Sequence, residues 1–253
     1  MYSENSNRSN GVGVHLFAGR TFGSNNRRAL IKFDVSAIPV DATITTADLM
    51  VSCNKSQGTS TIFVHEVFTP WGEGNSNAGG TSGGQGAPAQ PGDATWTFNI
   101  WNTDSWTTVG GDFDPNVSAS ASSTAGQTST FSSTDLTADI QGWVSGNSDN
   151  HGWILKTNEV TAGRANRFDS RESSNSPPNL IITYEVSNPC FDVDTLSGNL
   201  GSAIYSFSNA VYSDGFVLAD SNVVINAFNA VELANEFEVF LQGELLITVD
   251  SCQ

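Results

Sequence analysis

The chain has 253 residues, and its 26 Asp and Glu against 10 Lys and Arg give a formal charge of −16. This length allows one large β-domain, or a domain of about 180 residues followed by a smaller one. The acidic balance argues against a nucleic-acid-binding protein, which needs a basic face for phosphates. The sequence contains no run of 18 apolar residues, so no transmembrane helix is predicted. With 38% hydrophobic residues the chain has enough apolar side chain for a core, which argues against global disorder.

The composition also indicates a compartment. Gly, Ser, Thr and Asn are abundant and Lys is scarce, which is typical of a loop-rich, all-β extracellular protein. The first five residues carry neither the basic nor the apolar region of a signal peptide. We therefore expect an extracellular or cell-surface protein whose printed sequence is a mature or trimmed chain.

Alternating apolar side chains predict strands through most of residues 1–186. In chain order the clearest segments are 29–35, 49–53, 62–67 and 180–186. Stretches rich in Gly and Ser separate these segments, and the longest of them covers residues 72–92. The pattern favours an all-β domain with one buried sheet face.

One segment follows a helical period instead. Leu136, Ile140, Trp143 and Val144 lie on one face of a helix, and the preceding residues 133–135 (Ser-Thr-Asp) are typical of a helix N-terminus. Gly146 follows as a stop signal. We expect a short helix near residues 134–145 that packs against the sheets.

The distribution of charge predicts two domains. All Lys and Arg lie in residues 1–171, whereas residues 190–253 contain carboxylates and no basic residue. Asn188-Pro189 marks the change, so we place the boundary between residues 186 and 187. Beyond it, very short apolar segments recur at even spacing, which favours the stacked rungs of a small β-solenoid over residues 187–253.

The three cysteines divide between these domains. Cys190 and Cys252 bracket the second domain, and a disulfide between them would join both ends of a stack too short to be stable alone. Cys53 alternates with Leu49 and Val51, which predicts a buried free thiol. The alternative of three unpaired buried thiols suits a cytosolic protein better.

Ten short segments follow one another in order through residues 1–186. They are LFAGRT (16–21), RALIKFD (28–34), IP (38–39), ATI (42–44), WGEG (71–74), GDATW (92–96), GGDF (110–113), GWILK (152–156), RFDSRE (167–172) and LIITY (180–184). As a set they resemble the DNRLRE family of bacterial and archaeal extracellular domains. The string that names the family is absent, and residues 166–172 stand in its place.

The resemblance implies a jelly-roll-like β-sandwich over residues 1–186 that is not itself catalytic. Some members of the family are carbohydrate-binding modules for acidic polysaccharides. Members usually carry a first strand that leads into the position of Tyr2, so the printed chain is expected to start inside a strand. Residues 187–253 are similar to the short Cys-bounded β-stacks that end secreted proteins of the Bacteroidetes type.

Four tryptophans are candidate sugar-binding residues: Trp71, Trp96, Trp101 and Trp106. An exposed indole offers a flat apolar face on which a sugar ring can stack. Alternatively, the four rings fill the sandwich core or hold the long Gly-rich loop, and for any single Trp this alternative is favoured.

Arg167 and Arg171 are candidate ligands for a uronic-acid polymer, because a guanidinium binds a carboxylate through two parallel hydrogen bonds. The alternative, which is favoured, is a ladder of salt bridges with Asp169 and neighbouring carboxylates. Asp112 and Asp114 could supply oxygen ligands to a structural Ca²⁺, but they lack the ligand density of an EF-hand loop. Solvated loop carboxylates are the favoured interpretation, and no cofactor is required.

The sequence carries little sign of catalysis. The three His have no metal-ligand spacing and no nucleophile motif is present. His65 alternates within a predicted strand, which favours a hydrogen-bonded sheet residue over a general base. A glycan-degrading enzyme would need two carboxylates across the scissile bond, and such a pair is the least favoured hypothesis.

Two function classes are favoured over an enzyme, and the first of them is preferred. The first is a non-catalytic structural or adhesive protein that self-associates through strand edges and termini, with filaments as one form of assembly. The second is a module that binds an acidic polysaccharide.

Overall fold

The computed structural model of the protein describes residues 1–79, 83–186, 193–207, 210–228 and 230–250. It divides the chain into two compact units, Met1–Val186 and Ser187–Gln253, at the residue where the charge pattern predicts a boundary. Strands account for 44% of the residues and helix for 6%, which confirms an all-β fold. None of the helices in the described ranges is long and apolar enough to cross a membrane.

The first unit contains fourteen strands and one α-helix within its described residues. The helix, α1, is Thr134–Val144, and a short 3₁₀ turn covers Gly83–Gln85. The strands are β1 Arg8–Ser9, β2 His15–Arg20, β3 Asn26–Arg27, β4 Ala29–Ile31, β5 Ala42–Lys55, β6 Ser60–Glu66, β7 Ala87–Pro88, β8 Phe98–Ile100, β9 Asp104–Ser105, β10 Ala119–Ser123, β11 Gln127–Ser132, β12 Trp153–Lys156, β13 Asn166–Asp169 and β14 Asn179–Val186.

Two antiparallel sheets form a sandwich-like body. One sheet has the strand order β10-β6-β12-β4, and the other has the order β11-β5-β13-β2-β3 with β14 paired to β5. The small pairs β1–β7 and β8–β9 lie outside these sheets. In the first pair, Arg8 and Ser9 are joined to the described part of the long Gly-rich loop.

The predicted helix is confirmed. Ser133 caps its N-terminus by accepting a hydrogen bond from the amide of Leu136 (2.9 Å). Its buried face consists of Leu136, Ile140, Trp143 and Val144, and these side chains belong to the main core together with Leu49, Phe131 and Trp153.

Two predicted strands differ in extent or exposure. The alternation over residues 29–35 predicts a longer strand than β4, which ends at Ile31, although Val35 is still buried. In β14 a register shift between Thr183 and Tyr184 interrupts the pairing with β5. Because such a bulge breaks the two-residue alternation, Tyr184 is exposed instead of continuing the face that packs on the core.

The second unit consists of short parallel strands. They are β15 Val193–Leu196, β16 Asn199–Leu200, β17 Ala203–Ser206, β18 Ala210–Ser213, β19 Phe216–Val217, β20 Asn222–Phe228, β21 Val231–Leu233, β22 Glu238–Val239 and β23 Glu244–Asp250. They form three parallel sheets, β15-β18-β21, β16-β19-β22 and β17-β20-β23. The chain thus makes three successive turns, which we call passes: β15-β16-β17, β18-β19-β20 and β21-β22-β23. Each pass adds one strand to each sheet.

The middle pass of the second unit is the best buried. Val211, Val217, Val223 and Ile225 are at most 1% exposed and form its apolar core. Each lies in register with a residue of the pass before it and of the pass after it, as in the column Leu200, Val217 and Val239. Stacking of parallel passes therefore builds the core of this unit.

The cysteine predictions have different outcomes. Cys53 is a buried free cysteine on β5, as predicted. Its thiol lies 3.8 Å from the side-chain oxygen of Asn166. Cys190 and Cys252 lie outside the described residues, so their disulfide stays a prediction.

Candidate functional site

Two of the candidate tryptophans are held inside the first unit. Trp106 is 4% exposed and its indole donates to the carbonyl of Thr95 (2.9 Å). Trp96 lies beneath the guanidinium of Arg28, whose Cζ is 4.7 Å from the ring centroid. Trp106 therefore offers no free face for a sugar and one face of Trp96 is covered, which favours the structural interpretation of both.

Trp71 and Arg171 are brought together at a cleft of about 1090 Å³ in the first unit. The indole of Trp71 donates to the carbonyl of His151 (2.7 Å), which fixes the ring at the wall of the cleft. Arg171 is exposed at the same cleft and binds the carboxylates of Glu73 and Glu172, each at 3.0 Å. Trp96, Trp101, Trp106 and Arg167 do not line it.

Arg167 and Asp169 do not form the predicted ladder with each other. Arg167 donates from Nε to the side-chain oxygen of Asn54 (2.5 Å), and Asp169 accepts from Asn54 Nδ2 (2.8 Å) and from the hydroxyl of Ser173 (2.9 Å). An amide side chain therefore lies between the two charges. The sequence pattern did not show this, because Asn54 belongs to a different strand.

Asp112 and Asp114 bind the backbone of their own loop. Asp112 accepts from the amides of Thr107 (2.8 Å) and Thr108 (2.6 Å), and Asp114 accepts from the amide of Asn116 (2.8 Å). These contacts fit the interpretation as loop carboxylates. Within the described ranges, no group of three or more His, Cys, Asp or Glu is placed to hold a metal ion, and a structural Ca²⁺ stays a prediction.

His65 is a hydrogen-bonded sheet residue, as predicted. It is 6% exposed, and its Nδ1 lies 2.9 Å from the carbonyl oxygen of Asp114 and 3.0 Å from that of Asn116. Burial lowers the pKa of its imidazole, and the two carbonyl contacts oppose this shift.

Sequence analysis missed a pair of half-buried carboxylates beside the core tryptophans. Trp143 donates to Glu66 and Trp153 donates to Asp139, each at 2.7 Å, and the two rings lie 4.5 Å apart. Burial raises the pKa of both carboxyl groups, and the negative charge of Asp139 raises that of Glu66 further. The indole donors give both half-buried carboxylates a hydrogen-bond partner.

The last pass of the second unit leaves its apolar side chains uncovered. In the column Leu200, Val217 and Val239, the first two are 2% and 0% exposed whereas Val239 is 45% exposed. The column of Ile225 and Ile247 changes likewise, from 0% to 37%. We call this surface, formed by β21, β22, β23 and the residues between them, the open end.

The open end also has free strand edges and negatively charged side chains. Strands β21, β22 and β23 are each the last strand of a parallel sheet, so each has a backbone edge that pairs with no other strand in the described part of the chain. Phe240 and Leu241 add exposed apolar surface between β22 and β23. Glu232, Glu236, Glu238 and Glu244 are exposed in the same part of the chain. The open end is thus an apolar and acidic surface with free strand edges.

Comparisons of the chain with protein-family models, with curated proteins and with solved structures found no match. The resemblance to the DNRLRE family therefore stays a prediction.

Proposed function

We propose that the protein is a non-catalytic extracellular structural or adhesive protein that self-associates through the open end of its second unit. The observation that carries this proposal is the loss of burial along single columns of side chains at the last pass. Membership in the DNRLRE family, whose domains are extracellular, would agree with this proposal.

The energetic argument starts from the apolar side chains. Covering a Val, Leu or Ile contributes about 1.5–3 kcal/mol when its burial is complete. Val239, Leu241, Leu246, Ile247 and Val249 are between 37% and 82% exposed. Even partial cover of five such side chains favours association, and exposed apolar patches of this kind are typical of interaction surfaces.

The strand edges can fix the orientation of such a contact. A free edge of a sheet can pair with a strand of another chain, and natural proteins usually protect edges of this length. β23 has seven residues and pairs on one side with β20. Its outer edge gives the second chain a fixed register, which an apolar contact alone does not.

A shortened chain tests this proposal. The main core contains only residues of the first unit, so a chain that ends at Val186 should fold. We expect it to stay monomeric while the full chain forms larger particles, measured by light scattering after size-exclusion chromatography. Circular dichroism controls for folding. A full chain that remains at its monomer mass of 26.8 kDa contradicts the proposal.

Binding of an acidic polysaccharide is the second candidate, and the cleft beside Trp71 and Arg171 favours it. We expect Trp71→Ala to weaken retention on an acidic polysaccharide in affinity electrophoresis. Trp101→Ala is the matched control, because Trp101 does not line the cleft. Equal retention of both variants and the unaltered protein contradicts binding at the cleft.

A further inference from the structure

One end of the sandwich-like unit gathers basic side chains. Strand β5 ends at Lys55, and Arg167 is its direct partner on β13. Nearby, the amide of Arg164 donates to the carbonyl of Arg20 (2.8 Å), and the Arg164 side chain binds the carbonyl of Gln57. We call the surface formed by Arg20, Lys55, Arg164, Arg167 and the loops beside them the basic end.

The basic side chains of the basic end form no salt bridges within the described part of the chain. None of its four basic side chains forms an ion pair with a carboxylate among the residues that the structure describes. Arg20 binds the backbone carbonyls of Glu159 (3.1 Å) and Val160 (3.0 Å), while the Glu159 carboxylate is bound by Arg28. In a chain with a formal charge of −16, this surface holds four of the ten basic residues.

Apolar side chains accompany these charges. Phe22, in the turn between β2 and β3, is 77% exposed, and Val160 is 70% exposed. A Cβ added at Gly163 would lie 2.6 Å from the Phe22 ring, so the ring lies against the loop that carries Val160. The basic end therefore combines unpaired cations with exposed apolar surface.

We propose that the basic end of one copy of the chain receives the open end of another copy. This inference rests on the proposed function, because it names the partner surface for self-association. The two surfaces complement each other: one is apolar and acidic, and the other is apolar and basic. Electrostatic complementarity of this kind selects the partner surface and its orientation.

Contact between two open ends is disfavoured by charge. Residues 172–253 contain no Lys or Arg, so two such surfaces would bring carboxylates together without a counter-charge. Contact between the basic end and the open end joins different surfaces of identical chains. Such a contact can repeat from copy to copy, and it produces an open filament unless its rotation closes a ring.

Two blocked variants of the full chain test this arrangement. Phe22→Asp with Arg164→Glu blocks the basic end, and Leu241→Lys with Leu246→Lys blocks the open end. Phe22, Leu241 and Leu246 are more than half exposed, and circular dichroism checks that the unit still folds with the change at the half-buried Arg164. We expect each variant alone to be monomeric by sedimentation velocity. An equimolar mixture should form a dimer and nothing larger, because only one competent pair of surfaces remains.

Matched controls share chemistry and exposure with the blocked positions. Ile204→Lys changes the first-pass residue in the same column as Leu246, since both are in register with Val224. Val40→Asp changes a 68% exposed side chain that precedes the start of β5, whereas Lys55 lies at its end. Both controls should assemble like the unaltered chain.

The possible outcomes separate the two proposals. If the chain blocked at the basic end still assembles alone, open ends bind each other or another surface, and the inference is overturned while self-association stands. The same conclusion follows if the mixture of variants stays monomeric although the unaltered chain assembles. If the unaltered chain is monomeric, both the inference and the proposed function are overturned.

Discussion

Arg28 shows how one residue joins distant parts of the first unit. Its guanidinium binds both carboxylate oxygens of Glu159 at 2.7 Å and the carbonyl of Gly110 at 2.9 Å, and it covers the ring of Trp96. Sequence analysis could not assign this role, since these partners are far apart along the chain. Trp96, which the sequence offered as a candidate sugar-binding residue, instead packs against Arg28.

Loss of this arginine should destabilise the first unit strongly. Both partners of the ion pair are almost buried, with side chains 13% and 11% exposed. Arg28→Ala would leave the Glu159 carboxylate unpaired, and we expect the free energy of unfolding to fall by about 3–5 kcal/mol. Urea unfolding followed by tryptophan fluorescence measures this unit alone, because all six Trp precede residue 187.

Arg171→Ala is the control for this prediction. The Arg171 side chain is 71% exposed, and an exposed ion pair contributes about 1 kcal/mol or less. Equal losses in the two variants would contradict a special role of Arg28.

The raised pKa of Glu66 predicts how the stability of the first unit depends on pH. Burial raises the pKa of this carboxyl above its ordinary value of 4.5. The folded state therefore binds the proton more tightly than the unfolded state does, and Glu66 destabilises the fold above its folded pKa. This destabilisation is relieved as the pH falls through that pKa toward 4.5.

We expect Glu66→Gln to gain stability relative to the unaltered chain, and more so at pH 7 than at pH 4.5. The amide oxygen of Gln can still accept the hydrogen bond from Trp143, so the change mainly removes the titrating group. Urea unfolding at the two pH values measures the difference. Glu185→Gln, at an exposed position of β14, is the control. A gain that is the same at both pH values contradicts this account.

At the scale of elements, local patterns were predictable and long-range pairing was not. The helix was recognised because its cap, Ser133, and its apolar face lie within a dozen residues of each other. The spacing of apolar segments after residue 187 indicated stacked short strands. It could not show that Ile247 would be 37% exposed, because the exposure of a residue depends on which strands stack against it.

The columns of the second unit provide a matched pair of substitutions. Ile225 and Ile247 are direct partners on β20 and β23, yet their exposures are 0% and 37%. In dilute monomer, Ile225→Ala should cost about 2–5 kcal/mol, and Ile247→Ala should cost clearly less. Far-ultraviolet circular dichroism during urea unfolding measures both.

Self-association should be more sensitive to substitution of Ile247 than of Ile225, the reverse of the order expected for stability. Ile247→Ala removes apolar surface that the proposed contact covers, and it should weaken assembly relative to the unaltered chain. If Ile247→Ala assembles normally while folded, the open end is not the contact surface.

The whole molecule has an asymmetric distribution of charge along its sequence. Every Lys and Arg lies within residues 1–171, and the second unit contributes only negative charge. The sequence alone revealed this asymmetry. It did not reveal that unpaired cations meet at one end of the sandwich-like unit, because that end is built from β2, β5, β13 and three loops. Folding thus brings basic side chains to one end of the first unit, and the proposed contact pairs them with the acidic open end.

Salt distinguishes attraction between unlike surfaces from contact between like ones. The screening length falls from about 10 Å at 0.1 M to about 3 Å at 1 M ionic strength. Contact between the basic and open ends should weaken over this range. Contact between two acidic open ends should strengthen.

The mass of the full chain in solution, followed by light scattering as salt is raised, is the most direct test of self-association. We predict particles several times larger than 26.8 kDa at about 0.1 M NaCl. These particles should shrink toward the monomer at about 1 M NaCl. A chain that has the monomer mass at both salt concentrations contradicts the account.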